Sequence, residues 1–142
     1  MTSSSLKWFS EEGGRAIAAR DWQAYGELFS ESLAMRAPGF PGTVRGRHYR
    51  VAMVRGIMDA FPDGRVEVER AFGDGDLGCL QVRFEGTHTG PLAGPGGAEI
   101  PPTGRRVEFF YCVVVRFEDG LAVEIDEYYD QLDLLAQIGI TG

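Results

Sequence analysis

Cysteine and histidine are scarce in this chain of 142 residues, at two each. Cys79 and Cys112 lie far apart inside apolar runs, and neither shares a metal-ligand spacing with His48 or His88. No disulfide framework and no zinc site is therefore expected, and both thiols read as buried and reduced. Positive charge is also short: 14 Lys and Arg stand against 21 Asp and Glu, a net charge of -7. That balance argues against binding nucleic acid or an anionic membrane through a general electrostatic footprint. No run approaches the ~18 consecutive apolar residues of a membrane span. The stretch from Met1 to Lys7 lacks the basic-then-apolar order of a signal peptide. The cytoplasm is the expected location.

Familiar catalytic signatures are missing as well. There is no GxSxG elbow, and neither cysteine has a recognisable catalytic setting. Gly73-Asp74-Gly75-Asp76-Leu77-Gly78 spells GxGxxG, but a strand-like run follows where phosphate binding needs a helix N-terminus. Asp74 and Asp76 lack the other ligands of a calcium loop. What remains is a chain 44% hydrophobic and 11% aromatic, the composition of one folded domain over residues 1–142.

The first third reads as helical. Trp8, Phe9, Ile17, Trp22, Leu28 and Phe29 recur at roughly helical intervals, Gly13-Gly14 weakens the first helix, and Asp21 is placed to cap a second. A short strand over 32–36 precedes a third helix from about Arg47 to Ala60. Its apolar positions are Tyr49, Met53, Ile57 and Phe61, widened by Val54 and Met58. Beyond Phe61-Pro62-Asp63-Gly64 the period changes to alternation. Strands are expected around Val66–Phe72, Leu77–Gly86 and Val107–Phe117, with a Gly/Pro-rich loop over 89–102. Asp119-Gly120 signals a hairpin whose returning strand is Glu124-Ile125-Asp126-Glu127-Tyr128-Tyr129-Asp130, running into a helix. Helices followed by a meander give an α+β fold, a curved antiparallel or mixed sheet enclosing a conical cavity suited to a small hydrophobic or aromatic ligand.

The acidic returning strand supplies the candidate chemistry. A two-residue turn at Asp119-Gly120 pairs Phe109 with Asp130, Tyr111 with Tyr128 and Val113 with Asp126; a three-residue turn would pair Asp130 with Glu108 instead. In the first register Asp130 sits among aromatic side chains, which raises its pKa and suits a general base beside a carbonyl. Asp126 and Asp130 are four residues apart, roughly 13 Å at strand rise, so they form no proton-sharing dyad. Asp126 and Tyr128 then line the cavity further along. His88, at a strand end beside the long loop, is placed to polarise a carbonyl or pass a proton.

Four segments together resemble the SnoaL-like polyketide cyclase family: Phe84-Glu85-Gly86-Thr87-His88-Thr89-Gly90, Ile100-Pro101-Pro102-Thr103-Gly104-Arg105, Arg116-Phe117-Glu118-Asp119-Gly120, and Tyr129-Asp130-Gln131-Leu132 with Leu134-Leu135-Ala136-Gln137-Ile138-Gly139. The resemblance implies the α+β cone shared with ketosteroid isomerases and nuclear transport factors, usually a homo-oligomer, here a dimer or tetramer. It implies closure of a polyketide ring by intramolecular aldol condensation with no cofactor or metal. The family's general acid/base aspartate falls on Asp130 and its GTH histidine on His88. Phe109, Tyr111, Asp126 and Tyr128 are the expected substrate contacts. Many relatives carry Trp at the position of Asp126, and related proteins open epoxides or assist hydroxylation. A hydrolase or a non-catalytic binding protein is thus the alternative.

Overall fold

A computed structural model describes residues 4–94 and 97–140. Pro95 and Gly96 of the Gly/Pro-rich loop, and Met1 to Ser3 of the opening stretch, lie outside the described residues. The elements run α1 (Ser4–Ala19), α2 (Trp22–Gly26), β1 (Phe29–Arg36), β2 (Val44–Arg45), α3 (Arg47–Ala60), β3 (Arg65–Asp74) and β4 (Leu77–Thr87). They continue with β5 (Leu92–Ala93), β6 (Glu99–Ile100), β7 (Arg106–Glu118), β8 (Leu121–Tyr128) and α4 (Gln131–Gln137). Six strands make one mixed sheet in the order β2-β1-β8-β7-β4-β3, in which only β1 and β8 pair in parallel. The α+β expectation holds. None of the described helices is long and apolar enough to cross a membrane.

Period-two burial sets the inner face of the sheet. Leu80, Val82 and Phe84 of β4 and Val107, Phe109, Val113, Val115 and Phe117 of β7 are buried, while their neighbours in sequence point outward. The helices close this face. Phe9 of α1 meets Phe29 and Phe117 edge to face at 5.5 and 5.6 Å, and Phe61 does the same to Phe84 at 5.5 Å. Gly78 lets α1 sit close: a Cβ there would come within 2.8 Å of Leu6 Cδ1.

Three local expectations change. The first helix runs unbroken through Gly13-Gly14, with tertiary packing overriding the weak propensity of glycine. Asp21 does cap α2, accepting from the Ala24 N–H, but that helix is only five residues long. The third helix has the expected span, yet Tyr49 is 38% exposed while Arg50 is buried.

The hairpin carries the most consequential difference. Asp119 and Gly120 both have positive φ, 52° and 80°, as the two-residue turn requires, and Glu118 pairs with Leu121. The register then slips between Arg116 and Phe117: Phe117 pairs with Ala122, but Arg116 pairs with Glu124. Val123 is the extra residue of a β-bulge. Past the bulge, Val113 faces Glu127, Val114 faces Asp126 and Cys112 faces Tyr128. The expected pairing of Val113 with Asp126 and Tyr111 with Tyr128 is off by one. A slip of one residue sends each side chain to the other face.

Candidate active site

The slip decides which carboxylate enters the cone. Ile125 and Glu127 are buried, and Tyr129 half-buried, on the inner face. Asp126 lies outside and pairs with Arg36 of the neighbouring strand, and Tyr128 is 59% exposed. Asp130 is exposed too. Its carboxylate accepts from the Asp133 N–H at 3.0 Å and caps α4, the ordinary use of Asp at a helix start. The expected cavity positions of Asp126, Tyr128 and Asp130 are therefore corrected: none of the three lines the cone's inner chamber.

Arg50 meets Glu127 from the opposite wall. It occupies the inward stripe of α3 three and four residues before Met53 and Val54, where an apolar residue is usual. Its Nη1 donates to Glu127 Oε1 at 2.8 Å and its Nε donates to the Tyr25 hydroxyl at 3.0 Å. Side-chain exposures of 5% and 6% leave this ion pair desolvated, so each partner depends on the other and on its hydrogen bonds. Burial disfavours the guanidinium charge, but Glu127 and Tyr25 outweigh it and hold the Arg50 pKa above its usual value. Oε2 of Glu127 has no hydrogen bond among the described residues.

Around this pair lies a chamber of about 50 Å³. Phe84, Phe109 and Tyr111 form one wall and Met53, Val54 and Ile57 another, with Tyr129 at the side. Phe109 stands 5.0 Å from Phe84 and 5.7 Å from Tyr129 between ring centroids. Phe109 and Tyr111 thus line the chamber. Burial and then the nearby Glu127 charge push both tyrosine phenols up, Tyr129 to about 12 and Tyr111 further. Both stay protonated donors at neutral pH. Met53, Ile57 and Tyr129 also border an outer cleft of about 630 Å³ between the Pro38–Phe40 turn and the β5–β6 hairpin.

His88 is fully buried and lies outside the walls of both spaces. Its Nδ1 is 2.9 Å from Thr103 Oγ1 and 3.2 Å from the Thr103 nitrogen, and its ring lies 5.4 Å from Phe61. Backbone bonds from the His88 N–H to Arg105 O and from the Gly104 N–H to His88 O complete the tie. His88 fastens the return of the long loop.

Glu127 and Arg50 were not expected as site residues. Glu127 is hidden by a bulge that strict alternation does not show. Arg50 left a signal, a cation at the i−3 and i−4 position of an apolar stripe, but Tyr49 beside it satisfied the same period.

A barrel of this shape with a buried ion pair and aromatic walls can be compared with known proteins. The sequence model of SnoaL-like polyketide cyclases matches residues 14–138. The chain belongs to that family. Its members include catalysts, and solved structures repeat the fold. IdmH from Streptomyces antibioticus, described as a candidate polyketide cyclase, is 26% identical with a TM-score of 0.78, covering 97% of this chain and 100% of its own. A SnoaL-like protein from Jannaschia sp. CCS1 superposes at 0.80 with 20% identity, over 100% of this chain and 99% of its own. An LEH-like epoxide hydrolase from M. tuberculosis reaches 0.65 at 19% identity, over 96% and 90%. A comparison with curated proteins finds no match.

Proposed function

We propose that this SnoaL-like protein is a cyclase that closes a ring by intramolecular aldol condensation, with Glu127 as general acid/base. The observation that carries the reading is that Glu127 is the only carboxylate among the residues lining the inner chamber. A carbon between two carbonyls needs a base within reach and donors for the enolate oxygen. Oε2 of Glu127 takes the proton, and the C–H electron pair becomes the enolate. Tyr111 and Tyr129 hydroxyls donate to that oxygen, and the Arg50 charge lies beside it. The enolate carbon then attacks a second carbonyl of the same chain, and the proton held on Glu127 returns to the new alkoxide. Aromatic rings of the substrate occupy the outer cleft, since the inner chamber admits only the reacting end.

This assignment moves the base from Asp130 to Glu127 and gives the donor role expected of His88 to the tyrosines. Hydrogen–deuterium exchange into the carbon between the carbonyls of ethyl benzoylacetate, followed by NMR, tests it. The Glu127→Gln protein should lose at least ~100-fold of the catalysed exchange; exchange at the wild-type rate overturns the assignment.

One observation favours a second reading. Arg50 sets a cation against Glu127, the combination that positions water for opening an epoxide. Solvent oxygen label in the product supports hydrolysis, and its absence supports cyclisation.

A further inference from the structure

The cavity does not end at the ion pair. Ile17, Arg50, Val66 and Tyr111 line the inner chamber and also border a separate space of about 60 Å³ beneath α1. Phe9 and Gly13 of α1 form its roof, and Leu80, Val82 and Val113 form its floor. Arg50, already paired, is its only charged liner.

Packing alone does not explain why α1 leaves this space open. Gly13 is buried in mid-helix, a weak choice for helical backbone. A Cβ at this position would rest 3.6 Å from Leu28 Cδ1 and 3.9 Å from Tyr25 Cε1, which is ordinary contact. Alanine would fit and strengthen the helix. A dry void is itself destabilising. Helix propensity and packing therefore both favour filling the space, and the sequence does not fill it.

The three spaces share walls in order. The outer cleft meets the inner chamber at Met53, Ile57 and Tyr129, and the inner chamber meets the space under α1 at Arg50 and Tyr111. A water-sized group takes ~15 Å³ of such volume, so 60 Å³ accepts about four. We propose that the substrate carries a short unbranched alkyl chain of about three to four carbons beside its reacting carbonyl, and that this chain is seated beneath α1. The proposal rests on the reacting carbonyl standing at Glu127. The ring body lies in the cleft, the carbonyl at the ion pair and the chain under Gly13. A chain ending in a charge is excluded, because its desolvation finds no partner there.

Calorimetric titration of benzoylacetone and its homologues, with the terminal methyl lengthened to propyl, butyl and heptyl, tests this. Affinity should rise about fourfold per methylene up to butyl and fall for heptyl. In Gly13→Leu and, independently, Ser10→Leu, each checked by thermal melting, the propyl and butyl compounds should bind no tighter than benzoylacetone. Equal affinity across the wild-type series, a gain that continues to heptyl, or a gain that survives in a folded variant overturns the chamber. Failure of benzoylacetone itself to bind, or unweakened binding to Glu127→Gln, overturns the placement of the carbonyl and the chamber with it.

Discussion

Val113 faces Glu127 across β7 and β8, and Asp126 faces Val114 on the outside of the sheet. The two acidic neighbours therefore have opposite solvents. Asp126 is half-buried on the outer face beside an exposed Arg36, while Glu127 is enclosed with Arg50.

Asp130 and Glu127 should separate cleanly on substitution. Asn caps a helix as well as Asp does, so Asp130→Asn should keep both the melting temperature and the catalysed exchange within about twofold. Asp130→Ala should cost ~1 kcal/mol of stability through the lost cap. A collapse of exchange in Asp130→Asn, with the fold intact, would return the acid/base role to Asp130.

The buried ion pair should behave as a unit in denaturant unfolding. Arg50→Met leaves Glu127 buried without its cation and should destabilise by about 3–5 kcal/mol. Combining it with Glu127→Leu removes both charges and should recover most of that loss. Additive losses in the double-mutant cycle would show that the two residues do not depend on each other.

His88 gives stability an acid limb. Burial holds its imidazole below the ordinary value, with the Gly90 backbone opposing in part. The unfolded imidazole titrates near ~6.5 and the folded one lower, so below that pH the unfolded chain binds more protons. The stability from this site is complete above ~6.5 and is lost as pH falls toward the folded value. Melting temperatures between pH 8 and pH 5 should fall less steeply in a folded His88→Gln variant than in the wild type. Parallel curves would exclude His88 as a source of the acid loss.

Tyr111 should matter as a donor and not as a base. Tyr111→Phe keeps the ring against Phe109 and removes the hydroxyl. Loss of one such donor costs on the order of 10²-fold in rate at most sites. The raised Tyr111 and Tyr129 phenols leave the exchange rate with no alkaline fall below about pH 11 from their ionisation. An unchanged rate in Tyr111→Phe would remove it from the oxyanion site.

Much of the fold was legible because its signals are local. Asp21 capping α2, the positive-φ turn at Asp119-Gly120 and the alternation that turns Phe109 inward are each written within a few residues. The four family segments legible in the sequence fall within the region that the family model matches, save Gly139 at the end of the last. The inward face of β8 was not legible, because it depends on one unpaired residue, Val123, in a strand whose acidic residues occupy both parities. Arg50 was obscured for a related reason. A helix face tolerates two phases one residue apart, and only the Glu127 and Tyr25 partners, 77 and 25 residues away in sequence, choose between Tyr49 and Arg50.

The bulge also bears on how such proteins diverge. Glu124, Asp126 and Tyr128 lie in reserve on the outer face, one position out of phase with Ile125, Glu127 and Tyr129. Pairing Val123 with Arg116 in place of the bulge would restore strict pairing from Glu118–Leu121 onward and turn that reserve set inward, exchanging a glutamate floor for an aspartate one without a single substitution. A one-residue shift of register at the strand's start is thus a shorter route to new chemistry than mutating the pocket residue by residue.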